Sequence, residues 1–478
     1  MLDYKVKIGI APVRRITPNK TAGMFNALSA KQAKDEFLPY IEKNFSSDKV
    51  EFINLEWFNE EGLMWDYDQA FPIADKFIAE KIDALFVINA NFGEEEVGAK
   101  LAQLCKVPTI IWAPQDMFFG EDGLRKTDAQ CGLFATSKLM QRMGVTFSHI
   151  ENSPVESEIF KNAFEDFIAV TCMIKNWKKM RILQLGNRPK PFTSMIFNES
   201  ELMEKFGVEV FPVTSAVVGQ RFDDVMENNK AAVDAGVEYI KKTYDLCGST
   251  EEGLRKTAAM VQVYRDLFKD FSPTFISGEC GSFTNTRGFV PCLAISMAMT
   301  EKLIVSCESD MLGGITMSLL SCATMGEDFP FFGEFTARHP SNKNAELIWH
   351  CGPFPYQVAD PALRKPYLNT VVGPDGNDRQ RAGFEVARGQ YTIARLDAIG
   401  GEYSMLLGNF EAVDGPFTLG TYVWGEFKDW ANWEKATIFG PYVHHMAEIK
   451  GDVVRRVKEF CRYTGIKLDL PDEQNFNV

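Results

Sequence analysis

Four short patches of this chain hold side chains that could do chemistry together. An apolar run at Leu303–Val305 leads into Cys307-Glu308-Ser309-Asp310, a second at Phe329–Phe332 into Gly333-Glu334, and a third at Leu347–Trp349 into His350. Each delivers a carboxylate or an imidazole at or near the end of a strand-like run, where α/β folds usually present functional groups. The fourth patch is the pair His444-His445, in a chain with only 5 histidines. Two carboxylates and two imidazoles form a donor set that suits a divalent metal of the Mn, Zn or Fe type. The carboxylates could double as general acid and base, because neighbours and metal tune their pKa values. Taken singly, each patch reads more simply: three ordinary strands with polar ends, His350 a satisfied core histidine beside Trp349, and His444-His445 a surface turn leading into the last helix.

Other candidates stand apart. Glu279 sits between glycines in Gly278-Glu279-Cys280-Gly281, at a strand end or in a plain loop. Arg14 and Arg15 follow the first strand-like run and could face an anionic or polyhydroxyl ligand, or only solvent. Asn89–Glu96 sets a turn before a helix N-terminus, but its acidic residues disfavour phosphate there. The chain has no GxGxxG after a strand, no GxxxxGK[ST], no HExxH and no GxSxG, which weakens dinucleotide, nucleotide, metalloprotease and α/β-hydrolase readings.

The elements that carry these residues alternate. Strand-like runs at Lys5–Pro12, Val50–Leu55, Ala84–Asn89, Thr109–Trp112 and Thr146–Glu151 are separated by helical stretches, and the pattern restarts at Arg181–Leu185. That alternation predicts parallel βαβ units in doubly wound α/β sheets. Asp224–Leu246 reads as helical, and Gly207 closes the helix Glu199–Phe206 before it. After about residue 326 the texture changes to alternating runs at Gly389–Leu396, Gly401–Gly408, Phe410–Val413 and Thr418–Val423, which predict an antiparallel β-rich unit, sandwich or barrel. The boundaries fall at 1–172, 173–325 and 326–478, with a terminal helix near Lys450–Arg462.

The 478 residues are 45% hydrophobic, with 38 Phe and a formal net charge of −14. An acidic chain without clustered Lys and Arg is a poor nucleic-acid binder. The start lacks the apolar stretch of a signal peptide, and no run of 18 apolar residues suggests a membrane span, so a cytoplasmic protein is expected. The 10 cysteines are scattered without a CxxC pair and are expected as reduced, mostly buried residues.

Together, Cys307–Asp310, Gly314–Met317, Phe331–Glu334, Leu347–Gly352 and Gly440–Met446 resemble the L-fucose/L-arabinose isomerase superfamily. Arg181–Val213, Asn89–Ala102 and Pro108–Asp116 resemble its central and first domains, so the likeness covers most of the chain. It implies two Rossmann-like domains and a C-terminal β-rich domain, in a homo-oligomer (trimer or hexamer) with active sites shared between subunits. It also implies a metal-dependent aldose–ketose isomerase working through an enediol on a free pentose, deoxyhexose or modified hexose, such as a sulfonated sugar. By similarity to the L-arabinose isomerases, Glu308, Glu334, His350 and His445 would hold Mn²⁺ (or Co²⁺, Mg²⁺ or Zn²⁺), and Glu308 and Glu334 would be the acid/base pair. By similarity to the L-fucose isomerases, Asp310 competes with Glu308 for that role. Glu279, His444, Arg14 and Arg15 are the candidates for sugar contact, and Arg188 joins the two arginines for a charged sugar. The alternatives are a sugar-binding or regulatory protein on the same scaffold, or another enediolate reaction.

Overall fold

A computed structural model of the chain describes residues 1–17, 20–116, 123–279, 286–373, 376 and 378–476. Residues 3–175 form one compact unit, and residues 176–478 with Met1–Leu2 form the other. The first holds a five-stranded parallel sheet of β1 (Val6–Val13), β2 (Val50–Ile53), β3 (Ala84–Asn89), β4 (Thr109–Trp112) and β5 (Phe147–His149), in the order β2-β1-β3-β4-β5. Strand β3 is buried along its whole length, as a parallel strand covered on both faces requires.

The second unit opens with β6 (Arg181–Leu185), β7 (Glu209–Val213), β8 (Phe275–Gly278) and β9 (Val305–Ser306), parallel in the order β7-β6-β8-β9. Both parallel sheets therefore have the doubly wound order in which the chain reverses direction beside its first strand, and ligands of such sheets bind beyond the carboxyl ends of the strands. The expected helix over Asp224–Leu246 is instead two, Ser215–Asn228 and Lys230–Thr243. Asn229 ends the first, and its side chain accepts from Ala232 N to cap the second, the local bonding that makes Asn a poor helix interior and a good cap.

The chain then builds β10 (Phe331–Arg338), β11 (Ala345–His350), the short β12 (Tyr367–Leu368), β13 (Val371–Val372), β14 (Asp378–Arg379) and β15 (Ala382–Glu385), the long β16 (Gly389–Ile399) and β17 (Glu402–Val413), and β18 (Thr421–Phe427), β19 (His445–Lys450) and β20 (Lys467–Asp469). Six of them run antiparallel in the order β18-β11-β10-β19-β16-β17, and β17 pairs back onto β18. The ring is closed, so the β-rich part is a barrel, with β15 and β20 added in parallel to β18 and β17. The α/β reading with a β-rich C-terminal part holds, and of the two forms left open the barrel is the one built.

Between the four-stranded sheet and the barrel lies the helix Met311–Ala323, every residue of which is buried. Gly313 and Gly314 make this possible. A Cβ at Gly314 would stand 2.1 Å from the Phe275 ring of β8, and one at Gly313 2.3 Å from the Phe332 ring of β10. Among the described residues no helix is long and apolar enough to cross a membrane.

One barrel carboxylate makes a stability prediction. Glu346, on β11, is 4% exposed and its Oε2 has no hydrogen-bond partner among the described residues. Burial pushes its carboxyl up to about 7, against the pull of Arg338. The folded form keeps a proton that the unfolded chain releases at an ordinary carboxylate pKa, so stability should fall as pH rises from about 4.5 to about 7. Glu346→Gln removes that penalty. Its Tm should exceed the parent's above pH 7, and the difference should vanish below pH 4.5; equal shifts at both pH values in a thermal melt series would contradict it.

Candidate active site

Strand β9 ends in a turn with unusual backbone. Glu308 and Ser309 have φ of 61° and 59°, consecutive left-handed conformations that cost non-glycine residues energy and mark functional turns. The Ser309 N–H donates to the Gly278 carbonyl at 3.0 Å, and the Asp310 N–H to the Cys307 carbonyl at 3.2 Å. This turn sends two nearby carboxylates to different tasks. Asp310 caps the buried helix, accepting from Gly313 N at 2.8 Å, while Glu308 extends toward β10 and β19.

There the barrel register supplies partners. Glu334 and His445 are direct cross-strand neighbours on β10 and β19, which places their side chains on one face; a slip of one residue would remove both from it. His350 ends β11. His445 Nε2 lies 3.3 Å from Glu308 Oε2 and 3.5 Å from Glu334 Oε1. His350 Nε2 lies 3.4 Å from Glu334 Oε1. Thus the structure brings Glu308, Glu334, His350 and His445 together. Glu334 differs from expectation in lying inside its strand, which runs on to Arg338, and His445 begins a strand where a turn into the last helix was expected. Cys307 joins Glu308 and His350, and the exposed His444 joins Glu334 and His445, each trio with ligand atoms within 4.8 Å of one another.

Three buried atoms at this centre, Glu308 Oε2, His350 Nε2 and His445 Nε2, have no well-formed hydrogen bond among the described residues. Buried polar atoms are rarely left so, and a shared cation would satisfy all three. The electrostatics agree. Burial works against charge on Glu334, but His445, His350 and His444 outweigh it and hold its carboxyl at about 2. Burial also disfavours the His350 imidazolium, yet Cys351, Glu334 and Glu308 raise its pKa to about 9. The field that draws protons onto the imidazoles would equally draw a divalent cation, and two carboxylates with two imidazoles fit one.

Behind His445 stands a second layer. Its Nδ1 is 3.0 Å from Asp310 Oδ2; donation there leaves the Nε2 lone pair facing the cluster, the usual support of a metal-binding histidine. Asp310 Oδ2 also takes Arg395 Nη1 at 2.5 Å, and Arg395 Nε donates to Asp397 Oδ2 at 3.0 Å. Burial opposes ionisation of Asp310, but Arg395 and His445 hold its carboxyl well below the usual range. Sequence reading missed Arg395 and Asp397. The available signal was a charged pair two residues apart, hence on one face, in the otherwise uncharged Gly389–Ile399.

The remaining candidates have other partners. Glu279 accepts from Ser215 Oγ at 3.3 Å beyond the end of β8; Cys280–Ser282 fall outside the described residues. Within the unit of residues 3–175, Arg14 pairs with Glu61 at 2.6 Å and lies over Trp65, and Arg15 faces Glu94 at 3.5 Å and lies over Phe92.

With this geometry in view, likeness to known proteins is informative. Residues 19–178 match the N-terminal domain of the fucose/sulfoquinovose isomerases. The sulfoquinovose isomerases of Priestia aryabhattai and Priestia megaterium are each 23% identical over 446 residues, 90% of this chain and 97% of theirs. That of Alkalicoccus urumqiensis is 22% identical over 396 residues, 80% of this chain and 86% of its own. The likeness is thus to sugar isomerases, and it spans most of this chain and most of theirs. The matched domain and these relatives agree with the resemblance to the L-fucose/L-arabinose isomerase superfamily.

Proposed function

We propose that this protein isomerises a sulfonated aldohexose to its ketose at the Glu308–Glu334–His350–His445 centre. The observation that carries the reading is the convergence of two carboxylates and two imidazoles with buried, unsatisfied atoms aimed at one another. Those four residues would hold Mn²⁺, or Co²⁺, Mg²⁺ or Zn²⁺. When bound, the ion supplies Lewis-acid polarisation of the two sugar oxygens whose carbons exchange oxidation state.

The protein's own groups handle the protons. Net isomerisation moves one hydrogen from C2 to C1 and one between the attached oxygens, through an enediol. One carboxylate of the Glu308–Glu334 pair takes the proton from carbon and returns it to the neighbouring carbon, while its partner serves the oxygens. Asp310 keeps His445 turned with Nε2 inward. His444, exposed beside Glu334 and His445, would hydrogen-bond the sugar.

A sulfonate is a permanent anion and calls for a cation. Arg188 follows β6 in the loop whose Asn187 carbonyl accepts from Ser309 Oγ at 3.4 Å, next to Glu308. Its guanidinium donates to the Pro189 carbonyl, and among the described residues it pairs with no carboxylate. A planar guanidinium matches an oxyanion geometrically, so Arg188 is the proposed sulfonate contact. Arg188→Met should raise KM for the sulfonated hexose by on the order of tenfold or more, the loss of one charge-assisted contact, and leave KM for its unsulfonated parent unchanged.

The deciding experiment offers the Mn²⁺-loaded protein a sulfonated hexose, its unsulfonated parent, L-fucose and L-arabinose, with proton NMR of the products. Conversion of the sulfonated sugar that stops on chelation and returns with Mn²⁺ is expected. Conversion of none of the four, or turnover indifferent to chelation, would sink the reading. The same reading takes the protein as a trimer or hexamer, which light scattering measures.

A further inference from the structure

We propose that Cys292 and Cys351 are a redox-responsive thiol pair that closes to a disulfide and alters the His350 side of the centre. The two residues come from distant parts of the chain. Cys292 is the first residue of the helix Cys292–Thr300 and is buried, while Cys351 follows β11 and is half-buried. Their sulfurs lie 3.3 Å apart, close enough that bond formation needs only a small approach of the two side chains. The partial exposure of Cys351 gives a small oxidant a way in.

The pair also touches His350. Its Nδ1 accepts from the Cys351 N–H at 2.9 Å and stands 3.3 Å from Cys351 Sγ. To offer the Nε2 lone pair to a cation the ring needs an acceptor for Nδ1–H, and the Cys351 sulfur is in place for that. A disulfide draws this sulfur toward Cys292 and makes it a poorer acceptor.

The chemistry balances with a peroxide as oxidant. One thiol is oxidised to a sulfenic acid as the peroxide is reduced and water leaves; the second thiol displaces a second water from that sulfur and forms the S–S bond. Two electrons and two hydrogens leave the protein.

The consequence for His350 rests on the proposed metal centre; the bond itself does not. The test treats the full-length protein with hydrogen peroxide, maps its peptides without reduction, and titrates Mn²⁺ by calorimetry before oxidation, after it, and after dithiothreitol. A peptide joining Cys292 to Cys351, lighter by two hydrogens, is expected, with Mn²⁺ affinity lower by on the order of tenfold and recovered on reduction. Cys292→Ser should lose both the cross-link and the affinity change while binding Mn²⁺ as the parent does. Oxidation confined to the exposed Cys131 and Cys247, or over-oxidation of Cys351 without a cross-link, would overturn the pair. A cross-link with unchanged Mn²⁺ affinity would overturn the link to His350. No Mn²⁺ binding by the reduced parent would count against the metal reading alone, since the mass measurement stands apart from it.

Discussion

Glu334→Gln should lower kcat by on the order of 10³-fold, the range expected when a positioned acid or base is removed, and should weaken Mn²⁺ binding as well. The substitution keeps shape and volume, and the β10–β19 pairing runs through backbone groups. The fold should therefore survive, as circular dichroism and an unchanged elution volume would confirm. What disappears is a carboxylate that lies 3.4 Å from His350 and 3.5 Å from His445. Without that charge a ligand oxygen is weakened and no group remains there to accept a proton. Near-normal turnover in a folded, Mn²⁺-saturated variant would remove Glu334 from the chemistry and leave Glu308 alone as the carboxylate in play.

Asp310→Asn is the second large effect, and it acts at one remove. Asp310 holds His445 Nδ1 on one side and Arg395 on the other. An asparagine amide can present a donor to Nδ1, which would move the ring proton to Nε2 and turn the imidazole from ligand to donor. Mn²⁺ affinity should drop by about 10- to 100-fold, as for lost support of a metal-binding histidine. Arg395 keeps Asp397, so the stability loss should be at most about 3 kcal/mol, the low end for a broken buried pair. The telling readout is the ¹⁵N spectrum of the His445 ring: a shift of the proton from Nδ1 to Nε2 supports positioning, whereas an unchanged tautomer with intact affinity defeats it. Arg395→Met with Asp310 intact should cost stability but leave that tautomer in place.

How far these residues could be read beforehand depends on what each one needs. Glu308, Glu334, His350 and His445 stood out by type, since histidine is scarce here and carboxylates after apolar runs are conspicuous. The choice between Glu308 and Asp310 was out of reach, because it turns on two non-glycine residues held at positive φ, which no residue pattern announces. The extension of β10 past Glu334 depends on a bulge between Phe335 and Ala337. Barrel and sandwich could not be separated either: alternation shows which residues face inward, but closure rests on β17 reaching β18 across the ring. Parallel strands were easier, since buried runs such as Ala84–Asn89 have few other fates.

The place of β19 in that ring also bears on the order of events during synthesis. Its first residue is His445, and it enters between β10 and β16, long after Glu308, Glu334 and His350 have left the ribosome. A growing chain has only part of its donor set until this late strand slots in, so premature capture of an ion should be weak. Contacts this distant in sequence form late on the folding path. An ion that binds only the completed ring would therefore delay unfolding far more than it hastens folding, acting as a latch set after the ring has closed.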